Sequence, residues 1–197
     1  MTARNDITGD AIRSASTKAY KDNYDAIFGK KNKPVEAPIK DVTDEFDRDT
    51  YETPMSVFNY FNDQYDFDVD ICAQDHTAKC ANYLTKEQDA LSKSWCFEGD
   101  RIWCNPPYSD IKPWIEKAIE AKSDGSLVVM LVMADQSVGW FKRALSEVNE
   151  IVIVTGGRLS FNANGVPQKG NNKGSMLLVF RPHDSTQTTT YLDRSVF

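Results

Sequence analysis

The sequence predicts an α/β fold: a mostly parallel sheet with an antiparallel hairpin at one edge and helices on both faces. Three observations carry this. Stretches with strand character alternate with helical patterns through residues 53–154. Residues 127–133 are almost wholly apolar, as a parallel strand covered on both faces requires. The last two strands, residues 150–154 and 175–180, have only a polar loop between them, which suits antiparallel pairing.

The elements follow in order. Residues 1–50 form a polar extension. Within it Ile12, Ala15, Ala19 or Tyr20, Tyr24, and Ile27 or Phe28 recur at helical spacing before Gly29 and Pro34, an amphipathic helix for which packing on the body, self-association and partial disorder are the alternatives. Residues 34–50 read as a linker. The body spans residues 51–182. Thr53 is expected to cap a helix with Pro54 at its first position, and Val57, Phe58, Phe61 and Tyr65 to form its apolar stripe. Residues 67–73 alternate and then turn apolar, a strand ending in a loop. A short strand is expected near Tyr83 and Leu84. Residues 101–104 read as a strand that stops at two prolines, neither of which can donate a ladder hydrogen bond. Ser109 or Asp110 then caps a helix with Trp114, Ile115, Ala118 and Ile119 on one face. Another helix follows around Phe141, Ala144, Leu145 and Val148. Gly156-Gly157 is a turn, and residues 162–174 a long polar loop. Residues 183–197 read as a frayed polar tail.

Composition narrows the class. The chain has 197 residues, 41% of them hydrophobic, enough for one full core. Its longest apolar run, residues 127–134, is too short to span a bilayer, and the start lacks the apolar core of a signal peptide, so a cytoplasmic location is expected. The four cysteines make no knuckle spacing; they read as buried, reduced thiols, with no metal site expected. The formal charge of -6 is unevenly spread. Residues 41–75 hold eleven acids and one base, while residues 155–197 hold five bases and two acids. The second region is a possible polyanion face, though the charge alone does not predict nucleic-acid binding.

Asn105-Pro106-Pro107-Tyr108 is the centre of the functional reading. It lies directly after an apolar strand and before a helix, where open α/β sheets bind ligands. An exocyclic amine on a purine is a poor nucleophile because its lone pair is delocalised into the ring. Two acceptors aimed at its N–H groups favour a more tetrahedral nitrogen and free that pair. The Asn105 side-chain oxygen and the Pro106 carbonyl can supply them, and the prolines stiffen the loop beforehand. Tyr108 offers a ring for stacking an extruded base. Lys169 and Lys173, in the Gly-rich loop, and Arg158 are candidates for phosphate contact; a solvated flexible loop, and an arginine bracing the turn, are the alternatives.

The motifs around residues 52–54, 67–73, 103–109, 114–118 and 157–161 together resemble the phage Dam-like DNA N6-adenine methyltransferases. The resemblance covers roughly residues 50–182. It implies a compact Rossmann-like methyltransferase fold, S-adenosylmethionine as cofactor, and methylation of adenine N6 in double-stranded DNA, typically in GATC. Asn105, Pro106, Pro107 and Tyr108 match the catalytic motif. Thr53 and Pro54 match the helix start that flanks the cofactor, and Asp70, Cys72 and Ala73 its first-strand loop, here without Gly-x-Gly. Asp70 either binds the methionine ammonium or orients the loop. Asp89 is a candidate partner of the cofactor adenine, or a solvated carboxylate. The motif alone also admits an RNA base amine or a protein glutamine as substrate. A non-catalytic methyltransferase-like binding protein is the reading from another class.

Overall fold

The computed structural model describes residues 48–95, 100–168 and 172–197. The N-terminal amphipathic helix, its role in self-association, most of the linker and Lys169 lie outside the described residues.

Helix α1 (Met55–Tyr65) buries Val57, Phe58 and Phe61. Its N-cap is Pro54 rather than Thr53: Pro54 is extended, with ψ of 141°, so helical geometry starts one residue later than expected. The helix ends at Asp66, which adopts φ of 52° and donates its backbone N–H to the Asn62 carbonyl. Asn62 Oδ1 accepts the next donor, Phe67 N–H, at 2.9 Å, so the chain turns sharply into the sheet.

The strands are β1 (Val69–Ala73), β2 (Asn82–Thr85), β3 (Arg101–Cys104), β4 (Leu127–Met133), β5 (Glu150–Thr155), β6 (Asn162–Ala163), β7 (Val166–Pro167), β8 (Ser175–Phe180) and β9 (Thr188–Asp193). Seven of them form one sheet in the order β2-β1-β3-β4-β8-β5-β9. Only β8 runs against the rest. It pairs antiparallel with β5, as expected, and also inserts beside β4. The tail does not fray. It supplies β9, which pairs parallel with β5 and becomes the rim.

Both faces of β4 are covered, which explains its unbroken apolar run: residues 128–132 are all buried. On one face Val129 and Leu131 join Phe58, Phe61, Phe67 and Trp103 in the main core. Trp103 meets Phe58 edge-on at 5.5 Å and Phe67 at 5.3 Å. Each such pair adds about 0.5–1.5 kcal/mol beyond its buried area. Helix α2 (Lys112–Ser123) packs on β4 and β8 and against α3 (Gly139–Ala144). Its N-cap is Ile111, which is buried, not Ser109 or Asp110. Ser109 N–H is already committed to Asp49 Oδ1 at 3.1 Å.

The expected polar loop begins with a hairpin. β6 and β7 pair antiparallel around Asn164-Gly165, both with positive φ, as a two-residue primed turn requires. Asn162 also exchanges two backbone hydrogen bonds with Glu52, each 2.9 Å. That bridge holds the segment before α1 against the hairpin.

Candidate active site

The C-terminal ends of β1 and β3 open into a cavity of about 340 Å³. Four segments wall it: residues 49–53, the loop from Asp70 to Lys79, residues 84–90, and the turn after β3. A strand-end cavity of this kind is where open α/β sheets place ligands.

Asn105 sits on that wall. Its Nδ2 donates to the Tyr51 carbonyl at 3.3 Å. A carbonyl can only accept, so the amide nitrogen must face Tyr51 and the oxygen must face away. That Oδ1 is buried and has no hydrogen-bond partner. The hydroxyl of Thr53, also on the wall, is likewise buried without a partner. Leaving such an atom unsatisfied costs about 1–3 kcal/mol, so two orphans on residues that line one cavity point to a polar ligand there.

Asp70 organises the β1 loop. It is buried at 3% exposure, and its two oxygens accept from Cys72 N–H and Lys79 N–H, both at 3.1 Å. Burial pushes its carboxyl up to about 6, with the two N–H donors and the Lys79 charge opposing. The same burial pushes the thiols of Cys72, Cys80 and Cys104 up, so they stay protonated and are poor nucleophiles. Among the described residues no group of three or more His, Cys, Asp or Glu could hold a metal ion.

The structure brings Thr53, Asp70, Cys72, Ala73, Asp89, Asn105 and Pro107 together on one wall. Asp89 is exposed there, with φ of 49°. Pro54, Pro106 and Tyr108 adjoin the wall through the chain without lining it. The Tyr108 hydroxyl donates to the Leu131 carbonyl at 3.4 Å and its ring meets Phe161 edge-on at 6.1 Å. Arg158 is exposed, with its carbonyl accepting from Arg194. Lys173 is ion-paired with Asp135 just beyond β4. Trp103 and Trp114 are buried and also edge the cavity.

Among the wall residues that the sequence reading did not assign to the site are Glu52 and Lys79. Neither lies in a periodic segment. The hint was Glu52 itself, directly before Thr53-Pro54, and Lys79, between the first-strand motif and Cys80.

The comparisons bear on this arrangement as a whole. A family model described as DNA N-6-adenine-methyltransferase (Dam) matches residues 40–196. A DNA N-6-adenine-methyltransferase of Haemophilus phage HP1 (strain HP1c1) is 37% identical over 148 residues, 73% of this chain and 84% of that protein. One of Escherichia phage T1 is 30% identical over 164 residues, 74% of this chain and 68% of that protein. The match runs from the segment before α1 to the rim strand β9, so the chain belongs to the DNA N-6-adenine-methyltransferase (Dam) family.

Proposed function

We propose that the protein transfers a methyl group from S-adenosylmethionine to the N6 amine of an adenine flipped out of double-stranded DNA. The observation that carries this reading is Asn105 Oδ1, a buried acceptor with no partner on the wall of a strand-end cavity. Family membership supports the adenine and DNA parts of it.

The residues present fit such a cofactor. The wall carries Asp49, Glu52, Asp70 and Asp89 against Lys79 and Lys86, which suits a ligand of net positive charge. This also gives the acidic stretch a purpose: Asp49, Glu52 and Asp70 face a cationic ligand, not the polyanion. Thr53, Cys72 and Ala73 flank the ligand, Pro54 fixes the start of α1 behind Thr53, and Asp89 meets the adenine end.

S-adenosylmethionine, when bound, supplies an electrophilic methyl group on a sulfonium centre. Asn105 Oδ1 accepts one N6–H of the target base and the Pro106 carbonyl the other. Both acceptors are held before the substrate arrives, because the prolines fix φ and Tyr51 fixes the amide. The amine attacks first and sheds its proton afterwards, so no strong base is required. Tyr108 offers the flipped base an aromatic face, worth ~1–3 kcal/mol. Arg158, Lys169 and Lys173 are assigned to phosphates, and GATC is the proposed context.

The test is labelled-methyl transfer to unmethylated DNA, with RNA and glutamine-containing protein beside it, followed by digestion with methylation-sensitive nucleases. The expected product is N6-methyladenine in DNA, with altered cleavage at GATC. Transfer to RNA or protein alone overturns the reading. Cleavage changes elsewhere overturn only the GATC context.

A further inference from the structure

Two charged wall residues have no role in the chemistry above, and their surroundings set them apart from the other charges lining the cavity. The Glu52 side chain is only 10% exposed. Its backbone is locked by the two hydrogen bonds to Asn162. Its carboxylate nevertheless has only His76 Nε2, at 3.9 Å, within ion-pair distance among the described residues. A carboxylate this buried is costly unless something cationic completes it. The other acids on the wall are committed or exposed. Asp70 spends both oxygens on backbone N–H groups, Asp49 accepts from Ser109 N–H, and Asp89 is exposed to solvent.

Lys79 is the counterpart. It is half-buried on the same wall, nine residues beyond Asp70 and tied to it through its backbone N–H. Among the described residues its ammonium makes no ion pair within 4 Å. Burial lowers its pKa, while Glu52 and Asp70 pull the other way, so the ammonium lies in the field of both carboxylates. The other wall lysine, Lys86, is exposed at the far side of β2. Among the described residues the cavity thus presents one buried anion whose charged neighbour is His76 at 3.9 Å and one half-buried cation without an ion pair, close enough to feel each other. A zwitterion with its charges a few bonds apart is the ligand that completes both at once.

We propose that Glu52 and Lys79 form a two-ended clamp for the amino-acid portion of S-adenosylmethionine, Glu52 taking the α-ammonium and Lys79 the α-carboxylate. This rests on the cofactor reading above and assigns the orientation of the cofactor within it. The methionine end lies at the segment before α1 and the β1 loop. The adenosine end lies toward Asp89. Asp70 acts one step back, as a positioning residue that holds the Lys79 backbone.

The experiment is calorimetric binding of three neutral-sulfur ligands to the full chain: S-adenosylhomocysteine, its decarboxylated analogue and its deaminated analogue. Wild type should bind the parent at least tenfold more tightly than either analogue. Lys79→Met should collapse the preference against the decarboxylated ligand to within about threefold and keep the preference against the deaminated one. Glu52→Gln should do the reverse. Lys79→Arg should restore the carboxylate preference, which a purely structural role would not do. A wild type that binds the parent but ignores loss of either group overturns the clamp, whether or not the variants fold. Variants that weaken all three ligands equally overturn it too. A wild type that binds none of the three overturns the proposed function along with it.

Discussion

Asn105 Nδ2 donates to the backbone carbonyl of Tyr51 across more than fifty residues of sequence, and that bond decides which way the amide points. The consequence is an oxygen left buried and unpartnered on the cavity wall. Asn105→Ala removes the acceptor, and transfer should fall by at least about 10²–10³-fold, the scale seen when one preorganised polar group is deleted from a transition-state site. Cofactor binding should stay within a few fold. Asn105→Asp is the sharper variant. It keeps an oxygen at Oδ1 but sets a second oxygen against the Tyr51 carbonyl, so the side chain should turn and activity should still be lost. Single-turnover rates beside calorimetric affinities separate the two effects; retained transfer in Asn105→Ala removes Asn105 from the chemistry, and retained transfer in Asn105→Asp removes only the orienting role of the Tyr51 carbonyl.

Asp70 gives the β1 loop a pH dependence with a definite sign. In the unfolded chain its carboxyl takes up a proton near its ordinary value of 3.8; in the folded protein burial raises this to about 6. The folded state therefore holds more of that proton between those two values. Its contribution to stability becomes more favourable as pH falls from about 6 to 4, and is lost again as pH rises back through 6. Function should run the other way. Protonation removes one of the acceptors that hold Cys72 N–H and Lys79 N–H, so cofactor affinity should weaken as pH drops through about 6. Asp70→Asn should flatten both profiles. Carboxyl-carbon titration by NMR, with stability and affinity measured from pH 4 to 8, checks the sign.

The sequence made the centre of the sheet legible because its strands are covered and therefore apolar. β1, β3, β4, β5 and β8 all announce themselves this way, and the two prolines mark where β3 must stop. The rim was hidden. In β9 five of six residues are exposed, so there was no alternation to read. The β6–β7 hairpin was signalled by Asn164-Gly165, but the polar residues around it read as loop. The site divides the same way. Asn105 to Tyr108 is a contiguous motif, visible in one dimension. Glu52 and Lys79 reach the cavity only because a strand bridge to Asn162 and a backbone bond to Asp70 carry them there.

One side chain pins the segment that leads from β8 into the rim strand β9, which itself pairs along its length with β5. Asn149 is 2% exposed; its Nδ2 donates to the carbonyls of Asp184 and Thr186, at 2.7 and 3.1 Å, and its Oδ1 accepts from Arg181 N–H at 2.8 Å. Asn149→Ala removes three hydrogen bonds, a loss of roughly 2–4 kcal/mol at typical net values. The damage should be directional. Amide exchange should accelerate first through β9, whose apolar burial is too slight to hold it, and leave β4 and β8 protected. Uniform acceleration across the sheet would show that the rim and centre unfold as one unit.

The ion pair of Lys173 with Asp135 offsets the charge of one lysine proposed to meet DNA. Its hydrogen bond is the main cause, with Ser137 second, that holds the Asp135 carboxyl down at about 2. Asp135 is therefore ionised at any working pH, and Lys173 offers a phosphate a charge already half-cancelled. Lys173→Ala alone should weaken DNA binding, because a bare carboxylate facing the phosphates replaces a neutral pair. Asp135→Asn should act in the opposite direction. It frees Lys173 to displace one counterion, so the salt dependence of DNA binding should steepen by about one unit of slope and low-salt affinity should rise. Lys173→Ala in the Asp135→Asn background should cancel that gain. Fluorescence anisotropy across a salt series reads all three variants, and an Asp135→Asn slope equal to wild type removes Lys173 from the phosphate contacts.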